Sequence, residues 1–218
     1  MPFATARNAR IHYTVHGDRR GTPVVLLQGL GLSSRFWFDV PELLSEDAET
    51  PRRVIAVDNR GTGRSDKPRT PWTMSTMADD VAAVLDDAGV EGAFVVGISM
   101  GGMIAQHVAL RHPTRVKGLV LLATTAGFLM GALPEAKALA REIGSRGITV
   151  NAVAPGYVKT AMTDRLTDEQ RKGLTDQIAL GRLGEGDDVA GAVVYLASPA
   201  AAYVTGTCLN VSGGLFIG

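Results

Sequence analysis

Short apolar runs recur along the 218-residue chain and alternate with segments of helical periodicity. The runs are VVLL (24–27), VIAV (54–57), AFVV (93–96), LVLLA (119–123), ITVNAVA (148–154) and TCLNV (207–211). Helical spacing is kept by Met77, Val81, Val84, Leu85 and Ala88, by Ala136, Leu139, Ala140 and Ile143, and by Val189, Val193, Leu196 and Ala197. Continuous apolar runs are typical of strands buried on both faces. With an edge hairpin over residues 3–16, the pattern predicts an α/β fold, a single doubly wound, mostly parallel sheet of about eight strands with helices on both faces.

Composition and charge favour one domain over residues 1–218 and exclude several classes of partner. The 22 basic residues balance 22 acidic ones and form no run of one sign, so we expect neither nucleic acid nor an anionic membrane as partner. The chain shows no apolar stretch of the roughly 20 residues that span a membrane and no signal-peptide core, so we expect a cytoplasmic location. The single cysteine, Cys208, is interpreted as a small core residue, and no metal site is predicted.

Three glycine-containing motifs follow the first central strands. They are QGLG (28–31) after VVLL, DNRGTGRSD (58–66) after VIAV, and GISMGG (97–102) after AFVV. Up to about Gly127, this order resembles the α/β-hydrolase family, in which G-x-S-x-G holds a nucleophilic serine on a tight turn between a strand and a helix. The resemblance implies that Ser99 is the nucleophile and that the backbone N–H groups of Met100 and Leu30 form an oxyanion hole. Gln28 stands where that family usually has a histidine.

The base that would activate Ser99 is missing from the positions that the resemblance implies. In the α/β-hydrolase family the acid follows a later strand and the histidine follows the last strand. The corresponding segments here read PGYVKT (155–160) and SGGLFIG (212–218), and they contain neither an acid nor a histidine. Ser99 is therefore predicted to be a vestigial nucleophile.

The four histidines of the chain are His12, His16, His107 and His112. His107 lies eight residues along the predicted helix from Ser99, a rise of about 12 Å, which is too far for proton transfer. His112 is expected to cap that helix. His12 and His16 are expected in the edge hairpin, and Asp58 is expected to form a turn or to face solvent.

Two long segments near the end of the chain carry a second resemblance. Residues 136–166 read AKALAREIGSRGITVNAVAPGYVKTAMTDRL, and residues 181–214 read GRLGEGDDVAGAVVYLASPAAAYVTGTCLNVSGG. They resemble the C-terminal part of short-chain dehydrogenases/reductases, most of all the bacterial 3-oxoacyl-acyl-carrier-protein reductases. This resemblance implies that Thr160 lies at the carboxamide of a nicotinamide cofactor and that residues 187–218 form a homodimer.

The reductase machinery is also incomplete. By the spacing of the resembled family, Thr125 and Leu129 stand where its catalytic tyrosine and lysine are needed, and neither residue type supplies that chemistry. The dinucleotide-binding glycine turn is missing too. Gly29 and Gly31 nevertheless leave a possible anion-binding turn, and Asp58 is placed as a ribose-binding acid would be. We therefore expect no cofactor and keep NAD(P) as an alternative.

The two resemblances meet at a seam near residues 127–137, between a hydrolase-derived part (1–127) and a reductase-derived part (128–218). We therefore expect an α/β-hydrolase/Rossmann-like hybrid, an engineered chimeric scaffold without efficient catalysis, with natural recombination as the alternative origin. Two alternative functions stay open. One is a weak serine esterase that uses Ser99 and the backbone oxyanion hole. The other is residual NAD(P) or nucleotide binding at the carboxyl ends of the strands, through Gly29, Gly31, Asp58 and Thr160. The sequence identifies no substrate or other small-molecule ligand.

Overall fold

Every apolar run that was predicted as a strand forms one. The computed structural model describes residues 2–46, 51–124, 132–159, 163 and 166–216. The strands are β1 (Phe3–Ala6), β2 (Ala9–His16), β3 (Thr22–Leu27), β4 (Arg52–Val57), β5 (Ala93–Ile98), β6 (Val116–Leu122), β7 (Thr149–Pro155) and β8 (Cys208–Val211). They form a single sheet in the order β1-β2-β4-β3-β5-β6-β7-β8. The edge hairpin β1–β2 is antiparallel and joins β4 in antiparallel register, and the other strands are parallel, as predicted.

Helices cover both faces of this sheet. Those in the described ranges are α1 (Val40–Ser45), α2 (Met74–Asp87), α3 (Met100–Arg111), α4 (Ala132–Ile143), α5 (Asp168–Thr175) and α6 (Gly186–Leu196). Buried side chains of α2, α3 and α4 belong to one core cluster with one face of the strands. Buried side chains of α1 and α6 belong to a second cluster on the opposite face. The doubly wound arrangement is confirmed.

The buried face of α4 and the start of α5 agree with the predictions from the local sequence. Leu139, Ala140 and Ile143 of α4 are buried, as their helical spacing predicted. The predicted capping box at the start of α5 is present, because Gln170 N donates to Thr167 Oγ1 and Thr167 N donates to Gln170 Oε1. These local features agree with the global fold in the part of the chain that follows the predicted seam.

The sheet continues without interruption from the hydrolase-like to the reductase-like sequence. β6 pairs with β7 in parallel from Gly118–Thr149 to Leu122–Val153. A second link runs across the opposite face, where the buried guanidinium of Arg52 on β4 donates through Nη2 to the carbonyl of Val194 in α6 at 3.3 Å. The two sequence types therefore share one sheet and its packing layers.

Candidate functional site

Ser99 occupies a strained turn at the carboxyl end of β5. Its φ of 53° is in the left-handed region that only a few non-glycine residues adopt. The turn is fixed on both sides, because Ser99 N donates to Leu122 O at 3.0 Å and Thr124 Oγ1 donates to Ser99 O at 2.6 Å. Ser99 itself is exposed, and within the described residues its hydroxyl has no hydrogen-bond partner. The turn thus presents the hydroxyl to solvent.

Two glycines make this turn possible. A Cβ added to Gly97 would lie 2.3 Å from the carbonyl oxygen of Gly101. A Cβ added to Gly101 would lie 2.0 Å from the carbonyl oxygen of Leu27. Both distances are far below van der Waals contact, so the tight strand-to-helix turn at Ser99 requires glycine at both positions.

The loop after β3 lies beside the serine. A Cβ on Gly29 would be 3.4 Å from Ser99 Cβ, which makes these two residues neighbours. The loop is held by the buried side chain of Gln28, whose Oε1 accepts from Gly29 N and whose Nε2 donates to Phe36 O, both at 2.9 Å. The residue that replaces the family's usual histidine therefore has a structural role in this loop.

Met100 and Leu30, the two residues predicted to supply oxyanion-hole N–H groups, directly follow Ser99 and its neighbour Gly29 in the sequence. Met100 is the first residue of α3, so its N–H has no carbonyl partner within the helix. Leu30 follows Gly29, and its side chain is 79% exposed. The oxyanion hole itself stays a prediction.

Each of the four histidines contacts a residue other than Ser99. His12 Nδ1 lies 2.9 Å from Asp58 Oδ2, and His16 Nδ1 lies 3.0 Å from Glu42 Oε1. His107 Nδ1 lies 3.3 Å from Ser75 Oγ, and His112 Nε2 lies 2.8 Å from Asp79 Oδ1. Burial lowers the pKa of His107, with a smaller contribution from Arg111. Within the described residues, the structure therefore brings no histidine side chain to the Ser99 hydroxyl.

Asp58 is buried and accepts a hydrogen bond across the turn after β4, so of the two roles expected for it the structure shows the turn and not exposure to solvent. Ser34 N donates to its Oδ1 at 2.7 Å, while Arg64 N and His12 Nδ1 lie 2.9 Å from its Oδ2. Burial by itself raises the pKa of Asp58, but the hydrogen bonds from Arg64, Ser34 and His12 outweigh it and hold the pKa below its ordinary value. An ionised Asp58 requires the proton on His12 Nδ1.

The sequence analysis missed the pairing of His12 with Asp58. The signal that could have found it is the antiparallel register of β2 with β4, in which Tyr13 is opposite Val57, because this register places the neighbours of both residues side by side. The sequence of β2 or of β4 taken alone does not predict which strand the edge hairpin joins.

Two of the four residues predicted to bind a nucleotide, Asp58 and Gly29, already make hydrogen bonds within the protein. Both carboxylate oxygens of Asp58 already accept hydrogen bonds from the protein, which leaves this acid poorly placed to bind ribose hydroxyls. The N–H of Gly29 is donated to the Gln28 side chain rather than directed to a phosphate. Gly31 has a positive φ of 74° and open space around it. Thr160 lies outside the described residues, as do Thr125 and Leu129.

The described ranges also bear on a metal site and on a membrane-spanning helix. No group of three or more His, Cys, Asp or Glu side chains is arranged there to hold a metal ion. None of the helices described combines the length and the apolar character that crossing a bilayer requires. Cys208 is partly buried against the core, and burial raises its pKa.

Two family patterns match the sequence. That of the alpha/beta hydrolase fold matches residues 22–159, and that of the enoyl-(acyl carrier protein) reductases matches residues 131–216. The 3-oxoacyl-[acyl-carrier-protein] reductase FabG of Haemophilus influenzae is 53% identical over 87 residues, which are 40% of this chain and 36% of that protein. This chain spans about a third of the length of the curated relatives it matches.

Solved structures extend the likeness to the fold. An esterase from Thermogutta terrifontis is 32% identical with a TM-score of 0.52, over 66% of this chain and 50% of that chain. Est816, described as an N-acyl homoserine lactone degrading enzyme, has a TM-score of 0.53 over 84% of this chain and 89% of that chain. At 24% identity, Est816 shows a shared fold alone.

Proposed function

The chain belongs to the α/β-hydrolase fold family, and we propose that it is a chimeric scaffold that keeps the Ser99 turn but does not hydrolyse esters efficiently. The observation that supports this proposal is that all four histidines contact residues other than Ser99. A serine hydroxyl is a weak nucleophile without an adjacent base. In a comparable triad, loss of the base lowers turnover by about 10⁶, and the remaining groups retain roughly 10³–10⁴ over water.

The architecture joins hydrolase-like and reductase-like sequence in one sheet. In this proposal the reductase-like part is structural, because it supplies β7, β8 and α6, which extend the sheet and cover one of its faces. We further propose that the junction is engineered. The hydrolase and the reductase catalytic residues are both incomplete, and the sequence changes from one family to the other at one place, near residues 127–137. A natural isolate that encodes the same junction would contradict that origin.

Hydrolysis of p-nitrophenyl acetate by wild type and by Ser99→Ala tests the proposal. Equal rates of continuous turnover are expected. Ser75→Ala is the matched control, because Ser75 Oγ is within 3.3 Å of a histidine and its removal reports on any rate due to that pair. A wild-type turnover about tenfold or more above that of Ser99→Ala contradicts the proposal.

That contrary outcome favours the second candidate, a weak serine esterase. Its specific support is the exposed Ser99 hydroxyl at a positive φ beside Gly29. The backbone N–H groups of Met100 and Leu30 would then stabilise the tetrahedral intermediate.

We also propose that NADH and NADPH do not bind with useful affinity, since the hydrogen-bonding groups of Asp58 and Gly29 are already engaged. Titration calorimetry with each nucleotide at millimolar concentration should give no saturable heat. A binding isotherm that weakens in Asp58→Asn would support the nucleotide alternative instead.

A homodimer through residues 187–218 remains a proposal. It is supported by the position of β8 at the sheet edge and by the exposed rings of Tyr195 and Tyr203. Light scattering coupled to gel filtration should give twice the chain mass. A Tyr195→Arg variant should shift the mass toward the monomer, and a wild-type monomer across the micromolar range contradicts the proposal.

A further inference from the structure

A cleft of about 330 Å³ lies between α4 and the turn that leads into β8, and we call it the basic cleft. Its described lining is Lys137, Ala140, Arg141, Thr205 and Gly206. A Cβ on Gly206 would be 3.6 Å from Ala140 Cβ and 3.9 Å from Lys137 Cγ, so the turn packs against this face of α4. The basic cleft is at the amino ends of β7 and β8, whereas Ser99 follows the carboxyl end of β5. It is therefore separate from the Ser99 turn.

Hydrogen bonds to β7 fix one wall of the basic cleft. Gly206 N donates to Val150 O at 2.7 Å, and Val150 N donates to Thr205 Oγ1 at 3.0 Å. The fully buried amide of Asn151 donates through Nδ2 to Val204 O at 2.8 Å. These bonds hold the turn in one conformation, so this wall does not have to be ordered by a ligand.

Lys137 and Arg141 place two positive charges at the basic cleft, one helical turn apart. Both residues are exposed, and within the described residues neither forms an ion pair or a hydrogen bond. In the sequence, no acidic residue stands three or four positions from either of them, the spacings at which helical side chains pair. The described lining also contains no acidic residue. Since like charges at this spacing repel, an anion between them would relieve an unfavourable contact.

The helix dipole explains only part of this arrangement. Arg141 is in the last turn of α4, where the dipole favours a cation. Lys137 lies a full turn earlier, and the effect of the dipole falls off within the last turn. Thr205 adds a third donor, because its Oγ1 accepts from Val150 N while its own proton has no acceptor among the described residues. Two cations and one hydroxyl donor thus line the same cleft.

We propose that the basic cleft binds a compact phosphate dianion, either inorganic phosphate or the terminal group of a small phosphomonoester. The guanidinium of Arg141 can donate to two phosphate oxygens at once, and the ammonium of Lys137 supplies a compact charge. The Thr205 hydroxyl is available for a third oxygen. A phosphodiester carries one charge instead of two and binds more weakly. The proposal goes beyond the proposed function and does not involve Ser99.

Titration calorimetry at low ionic strength tests the ligand class, at a pH above the second pKa of phosphate. Inorganic phosphate and phenyl phosphate should each bind to one site per chain, and dimethyl phosphate should bind about tenfold more weakly or less. Added sodium chloride should weaken binding, because salt screens exposed charges. Phosphate that gives no saturable heat, or dimethyl phosphate that binds as tightly as phenyl phosphate, contradicts the proposal.

Substitutions in α4 test the location of the site. Lys137→Gln and Arg141→Gln should each lower the affinity for phosphate about tenfold, since each removes a hydrogen bond between charged partners. Arg141→Lys keeps the charge but loses the planar fork, and about a threefold loss is expected. Arg7→Gln is the matched control, because it changes the net charge equally on the exposed turn between β1 and β2, at the other edge of the sheet. Equal losses in Arg7→Gln and Arg141→Gln, or no loss in either α4 variant, overturn the proposal.

Two further measurements keep the result specific to the basic cleft. Lys137→Gln and Arg141→Gln should unfold at urea midpoints equal to or slightly above that of wild type, because each removes a like-charge pair, so a loss of binding does not report unfolding. In nuclear magnetic resonance spectra, phosphate should shift the amide signals of Thr205 and Gly206, and shifts confined to other residues contradict the proposal. NADPH carries one phosphomonoester, and any heat from NADPH that disappears in the Lys137→Gln/Arg141→Gln double variant supports the basic cleft.

Discussion

The imidazole of His12 and the carboxylate of Asp58 form a buried pair, with 2.9 Å between Nδ1 and Oδ2 and side chains 4% and 3% exposed. The pair joins β2, the inner strand of the edge hairpin, to the end of β4. Asp58 also accepts from the backbone N–H groups of Ser34 and Arg64, so one carboxylate fixes two loops and a strand. This network lies at the same end of the parallel strands as Ser99.

Removal of this carboxylate should strongly destabilise the fold. Asp58→Ala removes the acceptor of two buried donors, Ser34 N and His12 Nδ1, and of the part-buried Arg64 N. We expect a loss of about 3–5 kcal/mol in the free energy of unfolding. Urea denaturation followed by circular dichroism measures it. Asp176→Ala is the control, because Asp176 forms an exposed i,i+4 pair with Lys172, and its loss should change stability by less than about 0.5 kcal/mol. Equal effects of the two variants would show that the Asp58 network contributes little.

The stability of the fold should fall in acid partly through Asp58. The pKa of Asp58 is lower in the folded state than its ordinary value of 3.8, so its ionised form favours the fold. This contribution is fully present above the unfolded pKa and is lost as the pH falls from about 4 through the folded pKa. Urea midpoints measured from pH 7 to pH 3 should therefore decline more steeply for wild type than for Asp58→Asn. Parallel declines would assign the acid sensitivity to other carboxylates.

Two glycine-to-alanine variants should change stability in opposite directions. Gly101→Ala places a Cβ 2.0 Å from Leu27 O, so the turn at Ser99 must shift, and we expect a loss of about 3 kcal/mol or more, or insoluble protein. Gly191→Ala lies inside α6 with no atom within 4 Å of the added Cβ, and it should gain about 0.5–1 kcal/mol from helix propensity. Thermal denaturation of both variants measures the difference. A soluble Gly101→Ala of wild-type stability would mean that the turn is not tightly constrained.

The two sequence types should unfold in one transition. β6 and β7 share a parallel ladder, and Arg52 connects β4 to α6 across the opposite face. Both tryptophans, Trp37 and Trp72, lie in the hydrolase-like part, so their fluorescence reports on that part alone, whereas far-ultraviolet circular dichroism reports on the whole chain. The two signals should give coincident urea curves. Separate midpoints would show that the reductase-like part unfolds independently.

The architecture was predictable because its signals are local and repeated. Continuous apolar runs gave the strands, and apolar residues at helical spacing gave the buried faces of α2, α4 and α6. The tight turn at Ser99 was predictable as well, because Gly97 and Gly101 permit close backbone contacts that other residues forbid. The lack of an activating base at Ser99 stays a prediction from the sequence, and the structure adds only that each of the four histidines contacts another residue.

The contacts that were not predictable join residues far apart in the sequence. His12 and Asp58 meet only because β2 adds to the edge of β4, and the same apolar pattern in β2 would suit another neighbour. The bond from Arg52 to Val194 depends on which helix covers β4, and an arginine in a strand gives no sign of a distant carbonyl. The role of Gln28 in fixing its loop was not predictable either, because the sequence does not show that the carbonyl of Phe36 lies within reach of this side chain. Hydrogen-bond partners that lie far apart in the sequence can be identified only from the three-dimensional structure, because local sequence patterns do not determine which elements meet.

The parallel ladder between β6 and β7 is made of backbone groups, which every non-proline residue supplies alike. A foreign helix–strand unit can therefore attach to β6 if its strand is apolar on both faces and its helix covers one of them. In this chain such a unit belongs to the reductase-like sequence. The side of β6 that pairs with β7 is thus a position at which helix–strand units from other open sheets can be inserted and tested in libraries.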